Sequence, residues 1–114
     1  MLTVENLKAL GNRAEEGLHR CMDNEPFYLR LVKMALADDG LDELKGFIDA
    51  GDLDAAFEKA HSMKGVYGNI ALTTVYEPVQ QMTEELRSRN NIDYTPYLEK
   101  ISEELAKTKA LLDD

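Results

Sequence analysis

The segment from Ala60 to Gly68, AHSMKGVYG, holds the residues whose types and spacing are best suited to chemistry. His61 supplies an imidazole, whose neutral ring nitrogen is a nucleophile near physiological pH because the reference pKa of histidine is about 6.5. Lys64 follows three residues later, so on a helix its ammonium lies on the same face as the imidazole. A nearby cation favours phosphoryl transfer, since the transferred group carries close to two negative charges. The pair therefore predicts covalent phosphoryl transfer to His61, with Lys64 stabilising the phosphate charge.

Two glycines, Gly65 and Gly68, fall on the same stripe of the predicted helix as His61. A glycine in a helix interior costs about 1 kcal/mol relative to alanine, so two of them beside a histidine require a reason. We interpret them as an access path, because the missing side chains would otherwise block a partner protein that approaches the imidazole. A helix-ending role is the alternative interpretation, and it explains Gly68 but leaves Gly65 unexplained.

The site helix is expected to begin after Asp52, which can cap it, and to end near Ala71. On a helical wheel, His61 and Lys64 lie roughly 100° from the centre of the apolar stripe. The imidazole should therefore be partly exposed, with its body resting on apolar neighbours, of which Phe57 is the nearest. The stripe itself consists of Leu53, Ala56, Phe57, Ala60, Met63 and Tyr67.

The rest of the chain repeats the helical pattern from end to end, and no stretch alternates with a period of two. Thr3, Asn12 and Asn24 are predicted to cap the first three helices, and Thr95 with Pro96 begins the last. Short connections between amphipathic helices predict an all-α, up-and-down four-helix bundle with an additional short N-terminal helix, formed by residues 1–114 as a single domain. The predicted core positions of the other helices are Val4, Leu7 and Leu10; Ala14, Leu18 and Cys21; Phe27, Leu31, Met34 and Ala35; Leu41, Leu44, Phe47 and Ile48; Val79, Met82 and Leu86; and Leu98, Ile101, Leu105 and Leu112.

The composition excludes several classes of function. A net charge of −9 argues against nucleic-acid binding and against adhesion to anionic membrane surfaces. No apolar run approaches the ~20 residues of a membrane span, and the N-terminus does not resemble a signal peptide. The single cysteine, Cys21, cannot form an internal disulfide, so a reducing cytoplasm is the expected compartment. We expect a monomer without metal or cofactor, and without ATP-dependent kinase activity because no phosphate-binding loop is present.

The motif formed by His61, Lys64, Gly65 and Gly68 resembles the His-x-x-Lys-Gly core of the histidine-containing phosphotransfer (HPt) domain family. The segments 15–18, 25–35 and 50–52 resemble the same family. The resemblance covers most of the chain up to about Leu86. It implies that His61 accepts a phosphoryl group from an aspartyl phosphate on a receiver domain and passes it to another receiver aspartate, as in a two-component phosphorelay.

The expected partners are receiver domains of response regulators or of a hybrid sensor kinase. We expect Met63 and Tyr67 to join the two glycines in docking them. One position departs from the family pattern, because a hairpin that turns near Leu72 places Thr83 opposite His61, where a longer polar residue is expected. Gln80, one turn away, is the other candidate for the hydrogen bond that orients the ring, and the sequence leaves this choice open.

Two other functions are compatible with parts of the sequence. One is a helical interaction module whose motif is inactive. The other is a di-iron carboxylate bundle, suggested by the Glu-x-x-His pairs Glu16–His19 and Glu58–His61. The wheel disfavours the iron site because Glu16, His19 and Glu58 lie away from the apolar stripes. His61 only flanks its stripe, and Lys64 would repel a dication. His19 has no lysine three residues later and is interpreted as a surface residue.

Overall fold

The computed structural model describes residues 1–113, which fold entirely into helices and their connections. The helices α4 to α7 form the four-helix bundle, since α5 packs on α4 and α6 while α7 closes the ring against α6 and α4. The all-α bundle prediction is thereby confirmed, although the N-terminal addition comprises three helices rather than one. The helices are α1 (Val4–Ala9), α2 (Ala14–Arg20), α3 (Glu25–Ala37), α4 (Leu41–Asp49), α5 (Leu53–Asn69), α6 (Thr73–Arg87) and α7 (Thr95–Lys109), followed by a 3₁₀ turn (Ala110–Asp113).

Three of the four predicted side-chain caps are present. The side chains of Thr3, Asn24 and Asp52 each accept a hydrogen bond from the backbone amide three residues later, at 3.0–3.1 Å. The prediction for Asn12 is wrong, because its side-chain oxygen accepts hydrogen bonds from the backbone amide and the hydroxyl of Thr74, at 3.0 and 3.1 Å. Asn12 therefore ties the α1–α2 connection to the start of α6 instead of capping α2.

The helix α3 buries a different face from the predicted one. Phe27 and Met34 are exposed, whereas Tyr28, Val32 and Leu36 are fully or almost fully buried. Apolar residues surround most of this helix, so hydrophobic periodicity does not single out one face. A tyrosine on the buried face requires a hydrogen-bond partner for its hydroxyl, and the fold supplies one.

Tyr28 donates its hydroxyl to the Ile70 carbonyl at 2.8 Å, and burial raises the pKa of Tyr28 to about 12. Gly17 makes this contact possible, since a Cβ at that position would lie 2.5 Å from the tyrosine ring and 2.8 Å from the Ile70 carbonyl oxygen. Nearby, the Arg20 guanidinium donates to the Gly68 carbonyl at 2.7 Å. The helices α2 and α3 thus fix the carboxyl end of α5, the helix that carries His61.

The connection between α3 and α4 is held at Asp39. Its carbonyl accepts the Tyr67 hydroxyl of α5 at 3.1 Å, and its carboxylate pairs with the Lys109 ammonium of α7. Partial burial raises the pKa of the Asp39 carboxyl, but the hydrogen bonds from Lys109 and from the Leu41 amide outweigh it and lower the pKa below its ordinary value. Asp39 therefore joins three parts of the bundle beside the site helix.

Two details near helix ends differ from expectation. A proline is best tolerated in the first turn of a helix, but α6 starts at Thr73 and carries Pro78 in its second turn, so the Thr74 carbonyl has no N–H opposite it. Leu112 is exposed rather than buried, because α7 ends at Lys109 and the chain continues as a 3₁₀ turn with a different period.

Candidate functional site

His61 lies in the middle of α5, and its side chain is exposed. The imidazole stacks against the ring of Phe57, one turn earlier, with the ring centroids 5.7 Å apart and the planes inclined by 23°. This agrees with the helical-wheel expectation that the imidazole flanks the core and rests on an apolar neighbour. The ring is therefore accessible to a partner while one of its faces is supported.

Phe57 also supports two arginines from the end of α6 and the loop that follows it. The guanidinium carbons of Arg87 and Arg89 lie 5.2 and 4.7 Å from the Phe57 ring centroid, within the range of a cation–π interaction. Arg89 is further fixed by Asp54, at 2.6 Å from its Nε atom. Sequence reasoning missed both arginines, although the hairpin register that pairs α5 with α6 also places Arg87 opposite Phe57.

Lys64 has a partly buried side chain, 25% exposed, on the α6 side of α5. Its ammonium lies 3.9 Å from one carboxylate oxygen of Glu84, and the Nε atom of Arg87 lies 3.4 Å from the other. One carboxylate therefore faces two cations at this end of the bundle. Glu84 was not among the residues selected from the sequence, because its role depends on the packing of α6 against α5.

The two glycines differ in their surroundings. A Cβ at Gly65 would have no other side chain within 4 Å, so the surface beside His61 is open there. A Cβ at Gly68 would lie 3.1 Å from Cε2 of Tyr76, so the missing side chain also serves the packing of α6 on α5. Gly68 lies in the last turn of α5, but it does not have the positive φ of a left-handed helix cap. Gly65 and Gly68 lie about 6 and 10 Å along the helix axis from His61.

Met63 and Tyr67 were predicted to help dock a partner, but the structure buries both of their side chains. Met63 is 4% exposed and Tyr67 is 1% exposed, because both lie on the core stripe of α5. Val66 is the large apolar residue that this helix exposes instead. The surface beside His61 at Gly65 therefore presents backbone rather than a large apolar side chain.

The predicted hydrogen bond from α6 to the imidazole is not formed. Thr83 is fully buried, and its hydroxyl donates to the Val79 carbonyl of its own helix at 2.7 Å. Gln80 is only half-buried, but no hydrogen bond joins it to His61 in the part of the chain that the structure describes. The imidazole is positioned by stacking on Phe57 rather than by a polar side chain.

His19 is in a different environment. Its ring is largely exposed on α2, and its Nδ1 atom lies 3.4 Å from a carboxylate oxygen of Asp23. Glu16 and Glu58 are also exposed, on separate helices. Among residues 1–113 there is no group of three or more histidine, cysteine or carboxylate side chains arranged to hold a metal ion. The two Glu-x-x-His pairs therefore do not converge on a shared site in the described structure.

A sequence model of the Hpt domain matches residues 29–111, which extend from the second turn of α3 into the 3₁₀ turn after α7. The chain belongs to the Hpt domain family. Membership implies a role in histidine phosphotransfer within two-component signalling, as a carrier of phosphoryl groups rather than a kinase, with receiver domains of response regulators or kinases as partners.

The Hpt match begins in α3, so α1 and α2 lie outside it. No significant match was found among curated proteins or among solved structures. Among the described residues, no helix has the length and apolar character needed to cross a membrane.

Proposed function

We propose that His61 is the phosphoryl acceptor of this Hpt domain, and that it receives the group from a receiver aspartyl phosphate and returns it to another receiver aspartate. One observation carries this proposal. Of the two histidines in the chain, His61 combines an exposed ring with a lysine one turn later and an open glycine position on the same stripe. His19 is followed three residues later by Met22 and faces the carboxylate of Asp23.

The chemistry is a direct displacement at phosphorus. A lone pair on a neutral ring nitrogen of His61 attacks the phosphorus atom, the bond from phosphorus to the aspartate oxygen breaks, and its electron pair returns to the receiver carboxylate. The new nitrogen–phosphorus bond leaves a proton on the other ring nitrogen, which is released to water as the ring returns to neutrality. Onward transfer reverses these steps with a second receiver aspartate.

The surroundings of His61 favour this displacement in two ways. Lys64 is one turn away and can offset the charge on the transferred phosphoryl group, which is the main contribution that such reactions require. Stacking on Phe57 restricts the rotation of the imidazole, so less conformational entropy is lost when the ring meets the incoming phosphorus atom.

A relay experiment tests the proposal. A panel of receiver domains is phosphorylated with labelled acetyl phosphate, freed of the donor and mixed with the purified chain. We expect label to move to the chain and then to a second, unlabelled receiver domain. Incubation with labelled ATP and Mg²⁺ alone should leave the chain unlabelled, since a carrier lacks its own kinase activity. No transfer from any receiver would contradict the proposal and favour the inactive interaction module.

A further inference from the structure

The carboxylate of Glu84 has an unusual position relative to the candidate site. Its two oxygens face different cations, Lys64 at 3.9 Å and Arg87 at 3.4 Å. Within residues 1–113, neither cation has another carboxylate partner. Arg87 in turn lies over the Phe57 ring on which His61 stacks. Lys64 lies one turn after His61 on α5, so both cations that pair with Glu84 lie near the imidazole without contacting it.

We propose that Glu84 is a positioning residue that acts through Lys64 and Arg87. While His61 is unmodified, the Glu84 carboxylate pairs with both cations. Once His61 is phosphorylated, the carboxylate competes with the phosphoryl group for them. The inference rests on the proposed function of His61. A phosphoryl group carries about two negative charges against one on a carboxylate, so it attracts the two cations more strongly. Glu84 keeps the phosphohistidine from being over-stabilised, which favours release of the group to the next receiver.

The formal charges of the cluster support this role. Lys64, Arg87 and Glu84 together are positive by one unit, and a phosphoryl dianion on His61 makes the site negative by about one unit. Without the Glu84 charge, the same dianion would be matched by the two cations. The neighbouring acid Asp54 does not substitute for Glu84, since it pairs with Arg89 at 2.6 Å.

The test measures the phosphohistidine itself. The chain is labelled from a phosphorylated receiver domain and separated from it. The half-life of the label and its equilibrium partition between chain and receiver are then determined. Glu84→Gln should lengthen the half-life and shift the partition toward the chain by about twofold to fivefold, the range that exposed ion pairs support. Glu84→Asp should stay near the wild type because it retains the charge.

Two controls separate this role from a structural one. Glu99→Gln makes the same charge change at an exposed position of α7, where Glu99 pairs with no cation of the described residues 1–113. Both readouts should equal those of the wild type. In a Lys64→Ala, Arg87→Ala background, Glu84→Gln should change neither readout, because the cations through which it acts are gone.

The possible results distinguish this inference from the proposed function. Wild-type behaviour of Glu84→Gln, an equal shift in Glu99→Gln, or a shift that persists in the double-alanine background would each overturn the inference alone. A wild-type chain that takes no label at all would contradict the proposed function and this inference together.

Discussion

Replacement of Gly65 by glutamine separates the stability of the bundle from access to His61. Gly65 is exposed in the carboxyl-terminal half of α5, and an added Cβ would have no other side chain within 4 Å. Gly46 is a matched control, because it is an exposed glycine inside α4 whose added Cβ would also have no side chain within 4 Å. The two substitutions are chemically identical, but only Gly65 shares the His61 stripe.

The expected effect on stability follows from helix propensity. Glutamine is a good helix former, and glycine in a helix interior is less favourable than alanine by about 1 kcal/mol. Since neither site requires repacking, Gly65→Gln and Gly46→Gln should each raise the free energy of unfolding by roughly 0.5–1 kcal/mol, measured by urea denaturation followed by circular dichroism. A substitution that destabilised the bundle at either position would contradict the packing described here.

The expected effect on transfer differs between the two positions. A glutamine about 6 Å along the axis from His61 stands where the receiver surface must approach, and a misplacement of about 1 Å can slow a reaction about a hundredfold. Transfer from a phosphorylated receiver should therefore fall by at least about tenfold in Gly65→Gln and stay at the wild-type rate in Gly46→Gln. Wild-type transfer by Gly65→Gln would refute the interpretation of this glycine as an access path.

The remaining predictions concern charge, buried hydrogen bonding and pH. Lys64→Ala should slow transfer by up to about fivefold in single-turnover assays, because exposed ion pairs contribute at most about 1 kcal/mol. The circular dichroism spectrum should be unchanged. An unchanged transfer rate would contradict a role for Lys64 in offsetting phosphate charge and would show that it serves only solubility. Tyr28→Phe should lower the free energy of unfolding by about 1–3 kcal/mol in urea, since the Ile70 carbonyl loses its buried donor, and an unchanged midpoint would contradict that bond. Asp39→Asn should destabilise the chain at pH 7 by about 1 kcal/mol in thermal melts, because only the ionised carboxylate pairs with Lys109. The stabilisation from this pair is fully present above the ordinary pKa of 3.8. The difference between the two proteins should therefore vanish as the pH falls below that value and through the lowered pKa of Asp39. A difference that persisted in full at low pH would show that Asp39 acts through shape rather than charge.

Local signals in the sequence predict helix boundaries well where one side chain decides them. Thr3, Asn24 and Asp52 cap their helices because the acceptor and the amide lie within three residues of each other. Asn12 has the same local signal, but a partner on α6, more than 60 residues away, takes its side chain. No local pattern predicts a hydrogen bond that depends on how distant helices pack.

In the candidate site too, the sequence predicts local features but not contacts between different helices. The spacing of His61, Lys64 and Gly65 along one helix could be deduced from the helical period, and the stacking of the imidazole near Phe57 followed from the same wheel. The role of Thr83 was misjudged because the register gives its position along α6 but not the direction of its side chain, which bonds to its own helix. Arg87 and Glu84 were missed for the same reason, since their contacts depend on the rotation of α6 about its axis.

The face of α3 illustrates a further limit. Apolar residues occupy several sides of this helix, and the choice between Phe27 and Tyr28 as the buried residue depends on a carbonyl at the end of α5. A hydrophobic pattern ranks faces by apolar content, whereas burial also requires that every polar group be satisfied. Tyr28 is buried because the fold provides an acceptor for its hydroxyl.

The assignment of the acceptor is tested most directly by labelling three proteins in parallel from one phosphorylated receiver domain: the wild type, His61→Gln and His19→Gln. All three should be equally folded by circular dichroism, because both imidazoles are exposed. The wild type and His19→Gln should carry a label that is labile in acid and stable in base, as expected of a nitrogen–phosphorus bond, and His61→Gln should carry none. Undiminished label on His61→Gln would contradict the assignment of His61 as the phosphoryl acceptor.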